Sequence, residues 1–334
     1  MRERNYSIDN TRALLIFLVV LGHLLEPLIG NSHILKVVYL FIYSFHIPMF
    51  VLLSGMLART NIDRGGICDI VSSLLIPFLV FQVLYEILEF VLTGHFSNYI
   101  VNGQPYWLLW FLWSLFLWKL MLPIFSCFKF PVIMSVLLSL VASYSPHTGY
   151  YLGISRTLTF FPFFVLGYAL KPDFFMKLKS YHPFFFMVMI VITLLLCVYF
   201  EGMPQPQQWL YGSYSYFALG CDEWFAGFVK LFLAFLAFFT GISVLSLLSG
   251  KQLKISSCGE HSLYVYLWHG IFVKIFGAVG GIAIIGKSGA WSVLFLFSFI
   301  SLALTFLFSR RSVVLFTNQG LLLPLRKIFL ECKR

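Results

Sequence analysis

Residues 4–27 read RNYSIDNTRALLIFLVVLGHLLEP, a polar segment that runs directly into an apolar one. From Ala13 the chain stays almost entirely apolar to about residue 30, and His23 lies inside this stretch. A membrane-spanning helix needs about 20 mostly apolar residues. The segment therefore predicts a transmembrane helix over residues 12–30 that carries ionisable groups at its start and within it.

Apolar stretches of this kind recur along the whole chain. Of its 334 residues 60% are hydrophobic and 11% are charged, whereas a soluble domain carries about 25% charged residues. So few charges cannot cover a water-facing surface, which excludes a soluble globular protein, and the apolar content excludes disorder. We predict an all-α, polytopic membrane protein with about ten transmembrane helices. The predicted spans are residues 12–30, 34–57, 68–93, 107–124, 131–146, 157–170, 184–200, 225–248, 261–280 and 289–309.

The basic residues between the spans predict the orientation of the chain. They concentrate on alternate connections, at Arg2, Arg4, Arg59, Arg64, Lys129, Lys171, Lys177, Lys179, Lys251, Lys254 and in the tail 310–334. Cytoplasmic connections carry the excess of Lys and Arg, so we expect both termini in the cytoplasm and the aromatic connection 201–224 outside. The net charge of +10 thus fits membrane orientation and not nucleic-acid binding. We expect a single transmembrane domain over residues 1–334, with a core at 5–310 and a basic cytoplasmic tail.

The six cysteines show no Cys-x-x-Cys spacing and no zinc pattern. We therefore expect isolated thiols and no disulfide framework. No metal site is expected either.

Ionisable groups in the first span are the strongest functional signal, because placing them inside a membrane is costly. Asp9 and Arg12 are three residues apart and are therefore neighbours on one helix face. His23 follows Arg12 after about three helical turns, so it shares that face about 16 Å deeper in the membrane. One face of this helix thus links a charged pair at the cytoplasmic end to an imidazole in the bilayer.

The second span adds His46, which is followed by Pro48 and by Ser54-Gly55. Proline in a membrane helix frees a backbone carbonyl and permits a kink, and Gly55 permits a close backbone approach. A kinked packing helix and a helix that lines a site both fit this pattern.

Polar groups in later spans extend the candidate site. Glu86 and Glu89 are three residues apart in the third span, which predicts a face turned to a cavity or to a basic partner. Arg156 opens the sixth span, where basic residues often snorkel to the interface instead. His269 lies in the ninth span, in SLYVYLWHG.

In their order along the chain these segments resemble the acyltransferase family 3 of membrane acyltransferases, in particular its fucose 4-O-acetylase-like and polysaccharide O-acetyltransferase branch. The resemblance covers residues of about 5–310. It rests on Arg12 with His23, FHIPMFVLLSGML at 45–57, LLIPFLVFQVLYE at 74–86, WLLWFLWSLFLWKL at 107–120, RTLTFFPFFVLGY at 156–168 and SLYVYLWHG at 262–270. The chain departs from its relatives at Ser72-Ser73, where a basic residue often precedes Leu-Ile-Pro.

The resemblance implies a ten-helix domain that moves an acetyl group from cytoplasmic acetyl-CoA to a hydroxyl of a cell-surface or lipid-linked carbohydrate. It implies Arg12 and His23 as the pair on which the family relies, with Asp9 beside them. Ester formation needs a base that takes the proton of the hydroxyl, and we expect His23 to be this general base, with Asp9 and Arg12 as its catalytic companions. Basic residues bind phosphate, and the expected donor-binding residues are Arg12, Arg59, Arg64, Lys119 and Ser54. The expected acceptor-binding residues are His46, Glu86, Arg156 and His269. We expect a multi-pass protein of the bacterial cell membrane, in contact with lipid and with the acceptor, and a homo-oligomer is left open.

Two alternatives stay open at this stage. A covalent acetyl-histidine relay could replace direct attack, because histidine can act as a nucleophile. A transporter or flippase of lipid-linked sugars would also carry scattered intramembrane ionisable groups. It would not depend on acetyl-CoA, and the inverted repeat with paired broken helices that marks many transporters is not evident in the sequence.

Overall fold

The computed structural model describes residues 6–170, 174, 182–221, 223–248 and 250–329, and these residues form helices and connections without a strand. All ten predicted spans coincide with a helix, which confirms an all-α polytopic membrane protein. The helices are α1 Tyr6–Leu28, α2 His33–Met56, α3 Arg64–Thr93, α4 Trp107–Phe125, α5 Pro131–Tyr144, α6 Tyr151–Leu170, α7 Pro183–Phe200, α8 Ala226–Ser246, α9 Ser262–Ala278 and α10 Ala290–Phe308.

Eight of these helices are long and apolar enough to cross a membrane. The two shorter ones are α5 with 14 residues and α9 with 17 residues. At 1.5 Å per residue, α5 reaches about 21 Å, less than the hydrocarbon thickness of about 30 Å. Ten crossings therefore stay a prediction. So does the orientation, since Arg2, Arg4, Lys171, Lys177, Lys179 and the tail beyond residue 329 lie outside the described residues.

A π-helical stretch, Val71–Leu75, interrupts α3 directly before Pro77. Proline lacks the N–H that would continue a regular helix, and a change of hydrogen-bond register accommodates it. The helix begins at the N-cap Asp63, whose carboxylate accepts a hydrogen bond from the Gly66 N–H at 2.7 Å. It ends at Gly94, whose φ of 80° lies in the left-handed region that glycine tolerates.

The chain divides into two compact units. The first unit contains Met1–Phe50, Pro172–Leu210 and Leu231–Val314, and the second contains Val51–Lys171, Tyr211–Lys230 and Leu315–Arg334. That the whole chain acts as one transmembrane domain stays a prediction.

In the first unit, α1 packs against a short helix Ser256–Glu260 and against α9 and α10. A Cβ atom on Gly259 would lie 1.8 Å from the carbonyl oxygen of Asp9, so only glycine permits this approach. On α2, the ring of Tyr43 lies against Gly22, where a Cβ would be 2.9 Å from it. The short helix Ser256–Glu260 thus packs tightly beside Asp9, and α2 packs tightly beside Gly22, the residue before His23.

In the second unit, the last turns of α2 cross α6 with their backbones in contact. A Cβ on Gly55 would lie 2.0 Å from the carbonyl oxygen of Phe164, and one on Gly167 would lie 2.0 Å from that of Leu52. Small residues allow this kind of approach between membrane helices. The close backbone approach predicted at Gly55 is therefore confirmed.

The cysteines differ from expectation at one position. Cys127, Cys197, Cys221 and Cys258 are free thiols, but Cys68 is disulfide-bonded. The expectation of isolated thiols is wrong there, because sequence spacing says nothing about which distant cysteines fold close together.

Candidate functional site

The imidazoles of His23 on α1 and His269 on α9 stack in the first unit. Their ring centroids are 5.5 Å apart and their planes differ by 29°. His269 is fully buried, whereas His23 retains some exposure, with 16% of its side-chain surface accessible. A ligand in the site would therefore meet His23 before His269.

His46 on α2 joins this pair. Its ring meets that of Tyr43 edge to face at 4.7 Å, and Tyr43 in turn lies against Gly22, the residue before His23. His46 is buried, and its Nδ1 donates to the carbonyl of Ile42 at 2.7 Å. His23 lies within electrostatic range of both other rings. His23 thus interacts with histidines of two other predicted spans in the first unit.

The hydrogen bonds of His269 fix which of its nitrogens faces the site. Its Nδ1 donates to the carbonyl of Val265 at 3.0 Å. In a neutral imidazole the other nitrogen then carries the lone pair, and Nε2 of His269 is buried without a hydrogen-bond partner among the described residues. This ring therefore presents an acceptor towards its surroundings.

Glu26 supplies a carboxylate next to His23. It lies in a single 3₁₀ turn after the α-helical part of α1, and its Oε2 is 3.3 Å from His23 Nδ1. An Nδ1–H that donates to this carboxylate leaves Nε2 of His23 as the basic nitrogen. The sequence analysis missed Glu26, although its spacing of three residues from His23 is the spacing of helix neighbours.

At the other end of α1, Asp9 is buried and Arg12 is half-buried, with their charges within interaction range. The first turn is held in place by Asn10. Its Nδ2 donates to the carbonyl of Lys251 at 2.9 Å, and its Oδ1 accepts from the hydroxyl of Ser256 at 2.6 Å. The predicted polar face of α1 therefore exists, and Asn10 with Ser256 positions its charged end.

An apolar groove of about 460 Å³ opens beside the start of α1. Leu14 and Phe17 of α1 line one side, Phe295 and Phe299 of α10 line another, and Asn10 lies at its edge. Such a lining suits hydrocarbon and not the phosphates of a nucleotide.

The other predicted donor-binding residues lie in the second unit. Arg59 and Arg64 are exposed on the connection between α2 and α3, and Ser54 and Lys119 are half-buried. Arg12 belongs to the first unit. That these residues act on one donor stays a prediction.

A further arginine reaches the position where the chain departs from its relatives. In the π-helical stretch of α3, the carbonyl of Ser72 accepts a hydrogen bond from Nε of Arg326 at 3.1 Å. Arg326 is 254 residues away along the chain, and no local pattern predicts this contact. The C-terminal segment of the second unit thus brings a guanidinium to Ser72-Ser73.

Glu86 and Glu89 point from α3 towards the start of α4. The carboxylate of Glu86 accepts hydrogen bonds from the backbone N–H of Ser97 at 3.0 Å and from its hydroxyl at 2.6 Å. Glu89 accepts from the hydroxyl of Tyr106, and burial together with this bond raises the pKa of Tyr106. These two carboxylates thus accept hydrogen bonds from hydroxyl and backbone N–H groups, whereas the sequence predicted a cavity or a basic partner there.

The guanidinium of Arg156 lies over two aromatic rings. Its Cζ lies 4.9 Å from the centre of the Trp110 ring and 5.4 Å from that of Tyr150. The hydroxyl of Ser213 donates to that of Tyr150 at 3.1 Å. Burial and a hydrogen bond with Tyr150 raise the pKa of Tyr214 to about 12. The aromatic connection 201–224 thus reaches Arg156.

Comparisons with known proteins agree with the family that the sequence resembles. The family model described as an acyltransferase domain, Acyl_transf_3, matches residues 5–310. Nodulation protein NolL of Sinorhizobium fredii is 32% identical over 139 residues, which are 38% of this chain and 38% of that protein. Nodulation protein NolL of Mesorhizobium japonicum is 27% identical over 180 residues, which are 50% of this chain and 48% of that protein. The matches thus span less than half the length of these relatives, and no solved structure matches.

Proposed function

Because this chain belongs to the acyltransferase 3 family, we propose that it is a membrane O-acetyltransferase. It transfers an acetyl group from acetyl-CoA to a hydroxyl of a cell-surface or lipid-linked carbohydrate. The observation that carries the proposal is the stack of His23 on His269, on the same helix α1 that presents Asp9 and Arg12 at its other end.

His23 is the general base. Ester formation requires a group that takes the proton of the attacking hydroxyl, and histidine suits this task near neutral pH. Glu26 orients the imidazole through Nδ1, and Nε2 receives the proton. His46 and His269 form the buried wall of the site and contact the acceptor side of the reaction centre.

The reaction is a direct displacement. The oxygen of the sugar hydroxyl attacks the carbonyl carbon of the thioester, and its proton passes to Nε2 of His23. The carbon–sulfur bond then breaks, and the thiolate of CoA leaves and takes up the proton. The products are an acetyl ester of the sugar and free CoA, and His23 returns to its neutral form.

Basic residues bind the donor. CoA carries several phosphates, which Arg and Lys bind through charge-assisted hydrogen bonds. Arg12 is the first candidate because it lies on the helix of His23, and Arg59, Arg64, Lys119 and Ser54 complete the set. Arg326, which hydrogen-bonds at Ser72, extends the set by one guanidinium.

The acceptor binds at the aromatic surface around Arg156. The rings of Trp110 and Tyr150 hold the Arg156 guanidinium in place for the acceptor. Glu86 is a weaker candidate, since its carboxylate already accepts hydrogen bonds from Ser97. We place the protein in a bacterial cell membrane, where lipid and the carbohydrate are its partners and no metal takes part.

The test uses the full-length protein in lipid nanodiscs. Release of free CoA from acetyl-CoA should depend on added carbohydrate acceptor, and mass spectrometry should find one added acetyl group on that acceptor. Surface glycans of cells with and without the protein should differ by the same group. A sugar carrier would change neither CoA release nor glycan mass, and that result would refute the proposal.

A further inference from the structure

Two cationic side chains of the second unit, Arg156 on α6 and Lys230 on α8, lie on helices that a hydrogen bond joins. Lys230, in the first turns of α8, donates from Nζ to the hydroxyl of Thr159 on α6 at 3.0 Å. Thr159 follows Arg156 by three residues, so the two lie on one face of α6. Arg156 and Lys230 therefore belong to one region of this unit.

Lys230 contacts neutral groups among the residues that the structure describes. Besides Thr159, its Nζ donates to the carbonyl of Ser139 at 3.1 Å and to the hydroxyl of Ser143. The ring of Tyr216 lies 5.9 Å from Nζ. Within the described part of the chain, no carboxylate lies near enough to pair with this ammonium group.

Arg156 likewise lacks an anionic partner among the described residues. The rings of Trp110 and Tyr150 cover its guanidinium, and its Nε is buried without a hydrogen-bond partner there. A guanidinium is always charged, and a buried charge without a partner is costly. Charged residues inside membrane segments usually mark a substrate path.

The acidic residues that the structure describes in this unit do not supply this partner, and Asp63 and Asp69 among them are exposed. Glu86 is bound to Ser97 and Glu89 is bound to Tyr106. Glu223 is exposed. The region around Arg156 and Lys230 thus combines two cations with aromatic rings.

We propose that Arg156 and Lys230 form an anion site and that the acceptor carries a phosphate or a carboxylate next to the sugar. This inference rests on the proposed function and names the substrate class. The guanidinium binds either anion through charge-assisted hydrogen bonds, and the charge of Lys230 adds longer-range attraction. The rings of Trp110 and Tyr150 keep the guanidinium in place, so that a phosphorylated sugar or a sugar acid binds and a neutral sugar does not.

The experiment measures binding without acetyl-CoA, so that it does not depend on catalysis. The full-length protein in nanodiscs is heated with a sugar phosphate, with glucuronate or with glucose, and the unfolding temperature is recorded. A ligand that binds only the folded state raises that temperature. We expect a rise with at least one of the two anions and none with glucose. A phosphate-selective rise identifies a phosphorylated acceptor, and a glucuronate-selective rise identifies a sugar acid.

Variants locate the site. Arg156→Gln should weaken anion binding about tenfold to hundredfold, as expected when a charge-assisted hydrogen bond is lost. Arg156→Lys keeps the charge and should weaken it less. Lys230→Met should also weaken binding. The matched control is Lys129→Met, since Lys129 also lies over an aromatic ring, that of Phe130 at 5.4 Å, but is exposed.

The outcomes separate this inference from the proposed function. Equal binding of glucose and the anions, unchanged binding by Arg156→Gln, or an equal loss in Lys129→Met would overturn the anion site. If Lys230→Met does not fold, the two Arg156 variants still decide. Anion binding without any acetyl transfer would leave the site standing and refute the transferase. Acetyl transfer to a neutral sugar would support the transferase and overturn the anion site.

Discussion

His23 and His269 stack with their ring centroids 5.5 Å apart, and His23 also contacts the carboxylate of Glu26. Two positive charges at this separation would repel each other. The proposed mechanism therefore gives the two rings different roles, with His23 beside the Glu26 carboxylate as the proposed general base and His269 as a proposed acceptor contact.

Replacing His23 should remove transfer without removing the fold. A positioned base contributes about 10²–10⁴-fold to rate, so His23→Ala should lose at least that much acetyl transfer per mole of folded protein while still binding acetyl-CoA. The measurement is acceptor-dependent CoA release. His33→Ala is the control, because His33 is exposed and pairs with Glu201 at the protein surface. Transfer by His23→Ala within about tenfold of the parent would contradict the assignment.

Glu26→Gln keeps the shape of the side chain and removes its charge. If the carboxylate orients His23, transfer should fall by about tenfold or more, whereas donor binding and the unfolding temperature should stay close to those of the parent. Turnover at saturating acetyl-CoA is the quantity to compare. A loss of donor affinity with unchanged turnover would show that Glu26 does not act through His23.

Arg12→Ala should weaken acetyl-CoA binding about tenfold, since it removes a charge-assisted contact with phosphate. The salt dependence of binding should become shallower in the same variant, because fewer charges are then engaged. Arg310→Ala is the matched control, as Arg310 is exposed and lies beyond the end of α10. Identical affinity and identical salt dependence in Arg12→Ala would rule this residue out as a phosphate ligand.

Gly259→Ala should destabilise the first unit. The added Cβ would lie 1.8 Å from the carbonyl oxygen of Asp9, and overpacking of this kind costs about 1–3 kcal/mol. We expect a lower unfolding temperature and reduced acetyl-CoA binding, because the start of α1 would shift together with Arg12. Gly30→Ala should be silent, since a Cβ at that position would meet nothing within 4 Å. Equal behaviour of the two variants would contradict the tight packing at Gly259.

The helices were predictable because apolar length and helical spacing are local properties. All ten predicted spans are helical, and the predicted face of α1 carries Asp9, Arg12 and His23. The two shorter helices show the limit, since an apolar stretch does not tell where capping and packing end a helix. Roles assigned to single residues by spacing stay predictions until the variants are measured.

Contacts between distant parts of the chain could not be predicted. Ser256 binds Asn10 across 246 residues, and Arg326 binds at Ser72 across 254 residues. In neither pair does the surrounding sequence indicate that the residue has a distant partner. Lys230 was overlooked for a similar reason, because its acceptors on α5 and α6 become neighbours only after the helices have packed. Glu26 was within reach of sequence reasoning, since it is a local neighbour of His23.

The crossing at Gly55 and Gly167 limits how this protein can change over generations. At each glycine the atom that a larger residue would meet is a main-chain carbonyl oxygen, that of Phe164 or of Leu52. A clash with a side chain can be relieved by a second mutation that shortens the side chain, but every amino acid carries the same carbonyl. Neither glycine can therefore be exchanged and then rescued by a substitution at the residue it touches. A larger residue at either position would require the two helices to move apart.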